Sequence, residues 1–206
     1  MLRKTSGTGC RGAPELPRGE GAFGPHWKQQ ARAVANAVAA ASNTQAMVLV
    51  GHSGAGALLP SIRQEVGRPV AAYVFVDSLL PREEDTRLGE GAFAEQLRRL
   101  YAQGGRFPDW TDESLKSILP DPVVRVDLLA SVRPQPWEFR EENIPVFEGW
   151  PDAPCAYLRF VPNGAYDESA AEAQRLGWRY RELGGGHFHM LVAPTAVAEA
   201  LLDLAQ

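Results

Sequence analysis

The sequence predicts an α/β fold with a mostly parallel sheet, and three observations carry that expectation. Short apolar runs of strand length alternate with stretches whose apolar residues recur at helical spacing. A glycine-rich turn at residues 51–56 joins one such run to a helical stretch. The runs over 47–50 and 70–76 are apolar throughout instead of alternating with polar residues, as strands covered on both faces require. With 206 residues, 45% of them apolar, the chain can build one sizeable core without metals or disulfides.

Taken in order, residues 1–24 are rich in Gly, Pro, Arg and Ser without apolar period, which predicts a disordered leader ahead of one domain over 25–206. Ala31, Val34, Ala35, Val38 and Ala41 mark a helix over 27–41, which Ser42, Asn43 and Thr44 end. Met47, Val48, Leu49 and Val50 form a buried strand. After the turn, a helix to about residue 66 and a strand over 70–76 complete a right-handed βαβ crossover. Residues 81–154 differ in character: prolines at 108, 120, 122, 134, 136 and 145 cut them into short helical pieces such as 93–101 and 123–132. A helical, lid-like insertion or an extra structural layer fits that pattern. Beyond it come a strand over 155–161, a helix over 168–176, a strand over 178–183 and a closing helix over 194–204 begun by proline.

Composition excludes several classes. A formal charge of −4 leaves no basic excess for nucleic acid or an anionic membrane. Nor is there the run of ~20 apolar residues that spanning a bilayer requires. Cys10 and Cys155 stand alone, so neither a disulfide framework nor a metal site is expected, and a cytoplasmic setting fits.

Chemistry concentrates at Gly51-His52-Ser53-Gly54-Ala55-Gly56, directly after the buried strand. A serine centred in a sharp strand-to-helix turn is a nucleophile elbow, whose neighbours must be small because the backbone there is strained. Ala55 replaces the commoner glycine and is still small. The Gly54 N–H is the natural oxyanion donor. No Lys-Ser/Thr pair follows, so a phosphate-binding P-loop is excluded, and no dinucleotide fingerprint is present.

A serine needs a base. After the last strand, Gly184-Gly185-Gly186-His187-Phe188-His189 precedes an apolar pair and a proline-started helix. With the elbow, this pattern resembles the α/β-hydrolase superfamily over residues 25–206. The resemblance implies acyl transfer to water, with Ser53 as nucleophile, His187 favoured over its neighbour His189 as general base, a small-molecule ester, thioester or amide as substrate, and no cofactor. It implies an acid too, for which two carboxylates compete. Asp77 ends the strand that follows the elbow, an arrangement similar to pancreatic-type lipases. Asp167 follows the next strand, where most members keep theirs, but could simply cap a helix. Asp77 is favoured.

Members of this superfamily carry further strands before the elbow, and here one helix and the leader precede Met47. A chain truncated there is expected to be a weak, marginally stable hydrolase that associates with itself through an exposed sheet edge. The alternatives are a non-catalytic relic and a binding module for a small apolar ligand, which Phe93, Tyr101, Phe107, Trp110, Trp137 and Phe147 of the insertion could line.

Overall fold

A computed structural model describes residues 24–41, 46–82, 86–88 and 91–206. Residues 1–23 of the expected leader, Cys10 among them, lie outside the described residues. In chain order the elements are α1 (His26–Ala40), β1 (Met47–Ser53), a 3₁₀ turn (Gly54–Leu58), α2 (Leu59–Glu65), β2 (Val70–Ser78), α3 (Gly91–Ala102), α4 (Asp112–Leu115), α5 (Pro122–Ser131) and α6 (Glu138–Glu141). There follow β3 (Cys155–Val161), a second 3₁₀ turn (Gly164–Tyr166), α7 (Asp167–Arg175), β4 (Arg179–Gly184), α8 (His189–Val192) and α9 (Pro194–Leu204). Each predicted strand and helix is present within a few residues of its expected bounds. The short helices between β2 and β3 match the proline-cut pieces expected there.

The four strands form one all-parallel sheet in the order β1-β2-β3-β4. Successive side chains of a strand point to opposite faces, so the apolar runs divide into two cores. One face buries Leu49, Tyr73, Phe75 and Tyr157 against Ala31 of α1, Leu59 and Ile62 of α2, and Ala170 and Ala173 of α7. The other buries Val74, Val76, Leu158 and Phe160 against Val197, Ala200 and Leu204 of α9. Full burial of such side chains contributes roughly 1.5–3 kcal/mol each. Because α9 packs over β3 and β4, it leaves Val48 and Val50 of β1 36% and 46% exposed. No helix among the described residues is long and apolar enough to cross a membrane.

This construction brings the carboxyl ends of the strands together at one edge of the sheet. The register of β1 with β2 slips at the last step, so that Ser53 pairs with Ser78 where regular pairing would reach Asp77. Both Ser53 and Asp77 sit at positive φ, 59° and 43°. Those conformations cost about 1–3 kcal/mol each and persist only where the surroundings enforce them.

Candidate active site

At the elbow, the backbone that presents Ser53 is enforced by close approach. A side chain at Gly51 would meet the Gly56 Cα at 2.7 Å, and one at Gly56 would meet Ser78 Oγ at 2.0 Å and the Leu79 carbonyl at 2.4 Å. In this chain the tight turn therefore needs glycine at 51 and 56, and position 55 tolerates alanine. Two hydrogen bonds hold the turn to the end of β2: Ser78 Oγ donates to the Ser53 carbonyl at 2.6 Å, and the Leu79 N–H donates to the same oxygen at 3.2 Å. Gly54 opens the 3₁₀ turn, so its N–H is one of the donors such a terminus leaves without an internal partner.

Across the cleft, His187 Nδ1 lies 2.6 Å from Asp77 Oδ2. Asp77 is fully buried. A carboxylate cannot donate, so the imidazole carries its proton on Nδ1 and keeps Nε2 free to accept one. Asn163 Nδ2 donates to the same carboxylate oxygen, and the Phe160 N–H approaches Asp77 Oδ1 at 3.5 Å. The left-handed backbone at Asp77 is braced from β3: the buried Tyr157 hydroxyl accepts from the Ser78 N–H at 3.0 Å and donates to the Ser78 carbonyl at 2.9 Å. Burial pushes the Tyr157 phenol well above its ordinary pKa, so it remains a donor.

The rival histidine goes elsewhere. His189 starts α8 with its ring 5.5 Å from Phe160, and Gly185 lies so close that a Cβ there would meet His189 Nδ1 at 2.1 Å. In an extended strand, two residues of separation would point His187 and His189 to similar sides. They diverge because Gly186 and Phe188 already belong to the turn that opens α8, where the His189 N–H bonds the Gly186 carbonyl. The rival acid is likewise spent on another partner. Asp167 forms an ion pair with Arg159 at the surface, its side chain 57% exposed, and stands in the first turn of α7.

Three further residues complete the site, none singled out from the sequence. Tyr166 closes the 3₁₀ turn after β3, its hydroxyl 2.8 Å from Ser53 Oγ and its ring stacked 5.3 Å from that of His187. Burial raises the Tyr166 pKa, so the phenol is neutral. Asn163 caps that turn, its side-chain oxygen accepting from the Ala165 N–H while its amide reaches Asp77. An Asn-Gly-Ala-Tyr stretch reads as a loop, and only the proximity of strand ends gives it a role. His52, beside the serine, directs Nε2–H to the His187 carbonyl at 2.9 Å, with the two rings 4.3 Å apart. Desolvation, reinforced by the electrostatic interaction with His187, lowers the His52 pKa to about 4, so it stays neutral at neutral pH.

Above this floor runs an aromatic wall from the segment between β2 and β3. Phe93 packs on Phe107, Phe107 on Trp110 and Trp110 on Phe188, with ring centroids 5.5, 5.8 and 5.1 Å apart. Phe188 in turn touches His187 at 5.3 Å. Phe147 faces away, against Trp150. No group of three or more His, Cys, Asp or Glu that could hold a metal occurs among the described residues.

The profile of the alpha/beta hydrolase family matches residues 6–200. The chain belongs to the α/β-hydrolase family. Among solved structures this hydrolase is similar to an extracellular α/β-hydrolase from a Paenibacillus species, at 17% identity and a TM-score of 0.67 over 86% of this chain and 79% of that one. It resembles polyneuridine aldehyde esterase at 15% identity and a TM-score of 0.61, over 87% and 80% of the two chains. A methylesterase from Arabidopsis matches at 16% identity and a TM-score of 0.58, over 86% and 76%. No curated protein matches the hydrolase significantly.

Proposed function

We propose that this hydrolase cleaves a small-molecule carboxylic ester, thioester or amide through an acyl-enzyme. Ser53 attacks the carbonyl carbon, and its proton passes to His187 Nε2. The Gly54 N–H stabilises the oxyanion. Collapse of the tetrahedral intermediate expels the alcohol, thiol or amine, which takes the proton back from His187. Water, deprotonated by the same nitrogen, then releases the acid and restores Ser53. Asp77 holds the imidazole in the tautomer this cycle needs and stabilises the imidazolium that forms.

The observation that carries this reading is the 2.6 Å contact between His187 Nδ1 and a fully buried Asp77, opposite a serine held at φ 59°. Burying a carboxylate without a partner is costly, and a strained serine serves no packing purpose. Tyr166 and Ser53 share a hydrogen bond in which either hydroxyl can donate, and with the phenol donating the serine proton is free to pass to His187. That same hydrogen bond favours a second reading, a binding module whose serine is occupied.

The two readings separate on one experiment. A fluorophosphonate probe should label wild-type protein at Ser53, and Ser53→Ala should lower turnover of a short p-nitrophenyl ester by ~10⁴-fold or more. A protein that binds a small apolar ligand but is never labelled would be the binding module.

A further inference from the structure

Arg140 stands on α6, against the aromatic wall. Its guanidinium lies over the ring of Phe107, Cζ 5.0 Å from the centroid, and so over the ring that packs on Trp110. Its Nε is buried and has no hydrogen-bond partner. Burial lowers its pKa, while the Tyr101 phenol, which acts on it through its charge and a side-chain hydrogen bond, and the Tyr166 phenol raise it; no carboxylate is among these groups. Reciprocally, its charge acts on Tyr166, whose hydroxyl meets Ser53 Oγ.

The nearby carboxylates among the described residues are committed elsewhere or exposed. Glu142, two residues on, accepts from the His26 and Trp27 N–H groups at the start of α1, at 2.8 and 3.0 Å. Glu138 and Glu141 of the same short helix are exposed. Asp77 is held by His187 and Asn163. Arg159, another arginine whose Nε is buried, pairs with Asp167 and Glu182. Among the described residues, Arg140 thus remains a half-buried cation that keeps its proton and has no anion.

We propose that Arg140 binds a carboxylate of the substrate, so that the compound cleaved is an ester, thioester or amide that also carries a free acid group. The proposal deepens the hydrolase reading and rests on it for the position of the reacting carbonyl at Ser53. A planar guanidinium with one face on an aromatic ring presents its edge donors to a planar acid in two parallel hydrogen bonds. One cation balances one negative charge, which suits a carboxylate better than a phosphate dianion. The wall of Phe107, Trp110 and Phe188 would hold the apolar link between acid and scissile bond.

Calorimetric titration of the full chain with 4-phenylbutyrate, its primary amide and phenyl phosphate tests this without turnover. Wild type should bind the acid at least ~10-fold more tightly than the amide, the range expected for a charge-assisted pair. Arg140→Gln should abolish that preference and Arg140→Lys should retain part of it; because acid and amide are compared within each variant, general damage to the fold cancels. Equal affinity for acid and amide, a preference for the phosphate, no binding of any probe, or a preference that survives in Arg140→Gln would each overturn the assignment. Fluorophosphonate labelling of Ser53 runs beside it: labelled protein without acid preference sinks the arginine site alone, and acid preference in unlabelled protein sinks the serine reading alone.

Discussion

The ends of β2 and β3 each carry a carboxylate that could serve a histidine, and the structure treats them in opposite ways. Asp77, at the end of β2, is fully buried at positive φ and meets His187 at 2.6 Å. Asp167, beyond β3, is solvent-facing and neutralised by Arg159. Beyond β3, the amide of Asn163 reaches across to Asp77 instead of competing with it. What this teaches is that a carboxylate's role depends on which partner satisfies it once water is removed, since a buried charge must be met by donors built around it. A carboxylate in water is satisfied anywhere.

The sharpest way to break the comparison is Asp77→Asn. An amide in that place should lower turnover of a p-nitrophenyl ester by about 10⁴-fold, because it favours the wrong imidazole tautomer while keeping the geometry. Turnover within tenfold of wild type would remove Asp77 from the proposed triad.

A second test uses the neighbouring histidine. With a folded-state pKa of about 4, against an ordinary value near 6.5, His52 favours the fold only while neutral. Its contribution is therefore complete above pH ~6.5 and is lost as pH falls from there toward 4, up to about 3 kcal/mol in all. Urea unfolding across that window should show the decline, and His52→Gln should flatten it. An identical slope in the variant would assign the pH dependence to other groups.

Smaller effects should follow at the end of β3. Asn163→Ala removes one donor from the Asp77 oxygen that His187 also uses, and turnover should fall by about tenfold, in line with the worth of a hydrogen bond to a charged group. Smallest of all, Asp167→Asn should leave turnover within about twofold, because an exposed ion pair contributes little. A larger loss in Asp167→Asn than in Asp77→Asn would reverse the two ends and move the acid to the end of β3.

How far the sequence could be read follows from the range of the interactions involved. The strands over 47–50 and 155–161 were legible because short apolar runs suit a covered parallel sheet, but the full burial expected of 47–50 is not met, since Val48 and Val50 lie where α9 does not reach. The elbow was legible because strain demands small residues at local positions. The requirement fell on Gly56 instead of position 55 because the clash partners, Ser78 and Leu79, come from another strand. Tyr166 and Asn163 were not legible, since nothing in a loop sequence tells that its tyrosine will meet a serine more than a hundred residues earlier.

By itself, then, the sequence determined the alternation of strand and helix, the sharp turn at Ser53 and a histidine loop after the last strand, all set by local sterics and by the period of apolar residues. Only the tertiary structure decided which carboxylate meets His187, which of the two histidines reaches a carboxylate, and that Tyr166 meets Ser53. Those outcomes depend on burial and on contacts between distant strand ends, and no local pattern encodes the removal of water from one carboxylate and not from the other.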